Sequence, residues 1–376
     1  MRVTNFLVIT FLFLNNVAIS ITSCSQGDII ADAAAVLKHS IHLSSYPSNK
    51  QSKYNYQMVA FVHPEATACI PPLQILNYEI HIKDTPIDVS QIRGDFLREN
   101  VQQTGCCGEK EYLKLYAYTL VNYKIVVHLD LDSLILQPLD DLFDSMLLDG
   151  DDKKISDRKI PVMHGNPVPE KVEAYFTRDY NMANLGKQYI NIQGGFLVIR
   201  PNLQYFEEYK EAILEGDFRK GAGWKNKYGG YFGAQQIQGL CSYFFDGLHP
   251  GTAVELNRCY YNAMNDNPRK ARRKDNVEIC RDNRDNCEDC RETDFSKIKS
   301  VHFTLCQKPW TCPIYLVKRP GLCREYHKNW FRIRQDFERL ENILEVSSEE
   351  MEMDTFRGNC KGPGNGNYIP INFTKN

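Results

Sequence analysis

The sequence lacks a charge of dominant sign: 45 lysines and arginines stand against 47 aspartates and glutamates in 376 residues, a formal net charge of −2. That balance gives no global field to attract nucleic acid or an anionic membrane, so nucleic acid is not an expected partner. The one basic run, 269–274, reads as a solvated loop. Long apolar runs are also missing. The longest, Phe6 to Leu14, is about half of the ~20 residues that cross a bilayer and is interrupted by Asn15 and Asn16. No internal repeat is present. With 43% hydrophobic and 24% charged residues, the composition is that of a soluble globular protein with a large core.

Cysteine is abundant instead. Seven of the 13 fall between Cys259 and Cys323. Disulfides in an oxidising lumen are the expectation, ahead of a zinc site built on Cys280, Cys287, Cys290, Cys306 and Cys312, because the Cys287–Cys290 pair has no second pair at matching spacing. Asn372-Phe373-Thr374 is an N-glycosylation sequon. Arg2, the apolar run and Ala18-Ile19-Ser20 have the layout of a signal peptide, with a membrane anchor as the weaker alternative. The same stretch also alternates like a first β-strand over residues 17–23, which cleavage after Ser20 would cut. Secretion, or residence in the Golgi lumen, is the expected location. The expected organisation is a leader or anchor over 1–23, one catalytic domain over 24–335, and a helix end with an irregular tail over 336–376.

Along the chain, helix-like spacing over 32–43, 109–121, 205–214, 234–245 and 324–344 alternates with apolar strand-like runs at 58–62, 78–82, 124–129 and 196–199. That order predicts βαβ units and a mostly parallel sheet flanked by helices. The glycine-rich stretch 221–233 predicts a loop, and 262–293 a cysteine-bearing insertion.

The chemistry concentrates at Asp130-Leu131-Asp132, which closes the apolar run Ile125–Leu129. Residues two apart in extended chain point the same way, so both carboxylates project together beyond a strand's carboxyl end, where open α/β sheets bind ligands. Two such carboxylates repel unless a cation lies between them. Mn²⁺ or Mg²⁺ takes oxygen ligands and bridges to a diphosphate. A second constellation, His302 with Lys308 six residues on, offers an imidazole to the same ion and an ammonium to a departing phosphate.

In this order the segments resemble glycosyltransferase family 8, the glycogenin-like retaining hexosyltransferases with a GT-A nucleotide-diphospho-sugar transferase fold. The segments are Lys114–Leu120, Val126–Leu136 with Asp140–Asp144, Gln193–Pro201, Gln238–Leu240 with Phe244-Phe245, and His302-Phe303 with Lys308-Pro309-Trp310. The resemblance implies that Asp130, Asp132 and His302 bind Mn²⁺ (or Mg²⁺). It places Lys114, Leu131, Gln193, Gly194 and Lys308 at the donor, and gives Gln238 a catalytic place at the donor sugar's β-face. It also implies a UDP-sugar donor, a glycan or glycoprotein acceptor, and net retention without an enzymic base. Ile192, Ile237 and Leu305 depart from the family pattern at positions for the donor sugar, the acceptor and the diphosphate. A nucleotidyltransferase and a silent nucleotide-sugar-binding scaffold of the secretory pathway are the rival expectations.

Overall fold

The computed structural model describes residues 15–45, 52–147, 168–180, 182, 190–267, 271–272, 278–280, 287–313, 321–341 and 359–373. The basic run 269–274 lies largely outside them. The strands that matter are β1 (Asn15–Ile21), β2 (Tyr56–Val62), β3 (Glu79–Ile82), β4 (Ile125–Leu129), β5 (Ser133–Ile135), β6 (Ala174–Arg178), β7 (Ile192–Ile199), β8 (Ala253–Glu255) and β9 (Ser300–His302). Seven form one sheet in the order β8-β6-β7-β4-β1-β2-β3. Every neighbouring pair is parallel except those made by β7, which runs against both β4 and β6. This is the expected mixed α/β architecture with a mostly parallel sheet and helices.

Side-chain alternation explains how the sheet is covered on both faces. Val17, Ile19, Met58, Ala60, Val127 and Leu129 point to one side, where Ala34, Leu37 and Ile41 of the helix Gly27–Ser45 meet them. Ala18, Val59, Phe61 and Val126 point to the other, against Tyr112, Leu115, Tyr118, Tyr209 and Leu240. Strands buried on both faces read as continuous apolar runs, which is why β2 and β4 are legible from sequence. Asn202 accepts from the amides of Gln204 and Tyr205 to start the helix Leu203–Glu215, and Gly216, at φ 65°, ends it.

Two segments differ from expectation. Gly108–Thr119 winds as 3₁₀ turns rather than an α-helix. Its buried Tyr112, Leu115 and Tyr118 are three apart, the spacing that eclipses in a three-residue turn. Within the stretch expected as loop, Gly223–Trp224 pairs with Phe218–Arg219.

Five disulfides form: Cys24–Cys69, Cys259–Cys290, Cys280–Cys287, Cys306–Cys323 and Cys312–Cys360. Cys280, Cys287, Cys290, Cys306 and Cys312 are therefore all consumed by disulfides rather than by zinc. Cys106, Cys107 and Cys241 stay as thiols. The helix Leu322–Leu340 packs on Gly27–Ser45. Tyr368 and the Ile371 amide donate to Asp32, so the end of the chain is docked on the core. Among the described residues no helix is long and apolar enough to cross a membrane.

Candidate metal and nucleotide-sugar site

The strand order runs outward from β1 to β2 and β3, then returns to place β4 on the other side of β1. The carboxyl ends of β1 and β4 therefore flank a topological switch point, where such sheets bind ligands. Asp130 follows β4 directly. Its amide donates to the Gly195 carbonyl at 3.0 Å, and its carbonyl accepts from Ser133 at 3.1 Å, so the Asp130–Asp132 turn is closed from both sides.

The chain then doubles back. β5 pairs antiparallel with β9, in register Ser133↔His302, and the Phe303 amide donates to the Asp132 carbonyl at 2.9 Å. This pairing brings His302 to the acids across 170 residues of sequence. His302 Nε2 lies 3.3 Å from Asp132 Oδ1 and 4.0 Å from Asp130 Oδ2. One ligand atom from each of Asp130, Asp132 and His302 falls within 4.8 Å of the other two.

The three residues fit a hard divalent ion. Two carboxylates and one imidazole are an oxygen-rich donor set suited to Mn²⁺ or Mg²⁺. Space is left for the ion by Gly195: a Cβ there would stand 2.5 Å from His302 Cε1 and 2.8 Å from Asp130 Oδ2. The carboxylates are meanwhile neutralised by ammonium groups. Lys114 Nζ is 2.7 Å from Asp130 Oδ1 and 3.0 Å from Glu111 Oε2, and it donates to the Gly194 carbonyl at 3.2 Å. Lys308 Nζ contacts Asp132 Oδ2.

Titration follows from these contacts. Burial pushes the Asp130 carboxyl up, but the Lys114 and His302 charges outweigh it and hold it at about 2. Burial pushes Lys114 down, yet Asp130 and Glu111 outweigh that and keep it charged. Burial lowers His302 below the ordinary imidazole value, with Asp130 offsetting part of the effect.

All nine residues singled out from sequence, Lys114, Asp130, Leu131, Asp132, Gln193, Gly194, Gln238, His302 and Lys308, line one cleft of about 420 Å³. That volume lies in the range of small-molecule binding clefts. No protein-family model matches the chain, and no curated protein does. Among solved structures it is similar to the galactosyltransferase LgtC in complex with donor and acceptor sugar analogues, at 12% identity over 85% of this chain and 95% of that one, TM-score 0.43. It is also similar to the bifunctional glycosyltransferase WbbM, at 14% identity over 86% of this chain and TM-score 0.43, and it spans 50% of that protein's length. Mouse xyloside xylosyltransferase 1 matches at 10% identity over 66% of this chain and 86% of that one, TM-score 0.38.

Around the cleft, the Gln193 carbonyl oxygen accepts from the Gly195 amide at 2.6 Å and from Asn262 Nδ2 at 3.1 Å, which fixes the orientation of its amide. Gln238 accepts from Asn191 Nδ2 at 3.4 Å and donates to the Phe232 carbonyl at 3.2 Å. Thr304 Oγ1 lies 3.0 Å from His302 Nε2. Ile192 and Ile237 are buried, and Leu305 is exposed. Glu111, Gly195, Asn262 and Thr304 were not singled out from sequence. Only Glu111 carried a readable signal, its three-residue spacing from Lys114 on a helical segment.

Proposed function

We propose that this chain is a metal-dependent retaining glycosyltransferase of the GT-A fold, akin to family 8, that moves a hexose from a UDP-sugar to a glycan or glycoprotein. The observation that carries the reading is the convergence of Asp130, Asp132 and His302 within ion-sharing distance at the sheet's switch point, beside Lys114 and Lys308. The proposed ion is Mn²⁺ or Mg²⁺. When bound, it supplies positive charge against which a leaving diphosphate is stabilised.

The chain's own residues do the rest. Lys308, partly exposed to the cleft, is placed to pair with a phosphate, and its alternative partner Asp132 becomes a metal ligand. Lys114 holds the orientation of Asp130 and cancels the charge of Glu111. Leu131, Gln193 and Gly194 line the cleft and are assigned to the donor. Gln238, held by Asn191 and Phe232, presents a polar amide where positive charge develops at the anomeric carbon. With retention, the leaving phosphate takes the acceptor's proton, and the site contributes positioning and electrostatics. Five disulfides and the exposed Asn372 support the secretory pathway, in the Golgi lumen or outside the cell, as the place of work.

The test is a donor panel of UDP-glucose, UDP-galactose, UDP-xylose, UDP-glucuronate and UDP-N-acetylglucosamine, read as UDP release with Mn²⁺. Release from at least one donor, abolished in Asp132→Ala, supports the reading. Binding of UDP and Mn²⁺ with no turnover of any donor would replace it with a nucleotide-sugar-binding scaffold.

A further inference from the structure

Ten of the 13 cysteines are consumed by disulfides, and Cys241 is buried in the core. The remaining two are adjacent, Cys106 and Cys107, and both line the same cleft as the acids and His302. We propose that Cys106, Cys107 and Glu111 form a second cation site, selective for a thiophilic divalent ion of the Zn²⁺ class and distinct from the Asp130–Asp132–His302 centre.

The geometry is that of a ligand set. One atom from each of the three residues lies within 4.8 Å of the others, and Cys106 Sγ donates to Glu111 Oε1 at 3.4 Å. Two sulfurs bonded tetrahedrally to zinc at about 2.3 Å stand roughly 3.8 Å apart, so closure asks for a small rotation of side chains. Glu111 can serve as a ligand without abandoning its other role, because its second oxygen remains with Lys114 at 3.0 Å.

The loop that carries the thiols is built rather than incidental. Gly105 at φ 62° and Gly108 at φ 60° bracket the pair in the left-handed region that glycine favours. A Cβ on Gly108 would stand 2.5 Å from the Gln102 carbonyl oxygen. Gln236 Nε2 donates to the carbonyls of both Thr104, at 3.0 Å, and Gly108, at 2.7 Å, clamping the turn at its two ends. Closing the adjacent pair into a disulfide would instead force an eight-membered ring through a peptide bond that prefers planarity. On binding, each thiol gives its proton to solvent and its sulfur lone pair to the ion, so affinity rises with pH. Soft sulfur ligands separate this site from the oxygen-rich one, which suits Mn²⁺ or Mg²⁺. The site stands whether or not the cleft transfers sugar.

The experiment uses the full folded protein, with three free thiols confirmed by thiol counting, titrated with Cd²⁺ as the probe. Thiolate–cadmium charge-transfer absorption in the ultraviolet reports sulfur ligation and is silent for carboxylate and imidazole. We expect the band to saturate at one equivalent and to be chased by Zn²⁺. It should be retained in Asp132→Ala, weakened about tenfold in Glu111→Gln, and lost in the Cys106→Ser/Cys107→Ser double variant. In case that variant fails to fold, wild-type protein is alkylated with and without Zn²⁺ and mapped by mass spectrometry; protection of both Cys106 and Cys107 is expected. No band in folded protein carrying three thiols, a band that survives in the folded double variant, or unprotected thiols under Zn²⁺ would each overturn the proposal.

Discussion

Replacing Gly195 with alanine puts a methyl group where the proposed ion has its room. The new carbon stands 2.5 Å from His302 Cε1, 2.8 Å from Asp130 Oδ2 and 3.0 Å from Gln193 Oε1. Carbon atoms pack at about 3.5–4.0 Å, so roughly 1 Å of movement is required. The backbone of Gly195 has little freedom to supply it. Its carbonyl accepts from Asp130 at 3.0 Å, its amide donates to Gln193 at 2.6 Å, and β7 is held between β4 and β6. The displacement therefore falls on His302 and Asp130, the proposed ligands. Overpacking of this kind costs about 1–3 kcal/mol of stability. Disturbing ligand placement typically weakens metal affinity about 10–100-fold, or about 1.4–2.8 kcal/mol. Isothermal titration with Mn²⁺ measures the second quantity, and a urea melt the first. Gly195→Ala protein that binds Mn²⁺ within twofold of wild type would refute the reasoning, because the ion would then not lie between these residues.

Lys114→Ala strands the Asp130 and Glu111 carboxylates without their shared cation, and should destabilise the protein by about 3 kcal/mol. Added Mn²⁺ should raise its melting midpoint more than it raises that of wild type; an equal rise would argue against the ion meeting Asp130. A chain starting at Cys24 loses β1, the strand hydrogen-bonded between β2 and β4, and should show no cooperative melt by circular dichroism; a wild-type midpoint would contradict this. Burial raises the Asp32 carboxyl from 3.8 to about 6, against the opposing pull of Arg334. The folded state then holds a proton that the unfolded state gives up, so this contribution is complete below pH ~4 and is lost as pH rises through ~6, about 3 kcal/mol in all. The stability of wild type relative to Asp32→Asn, from urea melts, should fall across that interval; a flat difference would show that Asp32 titrates normally.

Much of the fold was legible because its strands are buried on both faces. The runs Met58–Val62 and Lys124–Leu129 sit within a residue or two of β2 and β4. β6 was not read, since Ala174–Arg178 mixes aromatic, hydroxyl and charged side chains whose burial depends on β7 and β8. Asp130 and Asp132 were readable as acids closing an apolar strand, although they lie in a turn rather than in the extended chain expected. His302 carried no such local signal; its place depends on the pairing of β5 with β9, a long-range event. Gly195 was hidden for a related reason. A missing side chain matters only once the atoms it makes room for have arrived from distant parts of the chain.

That pairing also sets a timetable. During synthesis the two aspartates leave the ribosome some 170 residues before the imidazole that would share their ion, and the Cys306–Cys323 bridge next to that imidazole closes later still. A nascent or truncated chain thus lacks one of the three residues proposed to hold the ion, however well its leading strands have formed. Assembly of the proposed ion site becomes a late checkpoint in biogenesis, passed only by molecules in which β9 has reached β5.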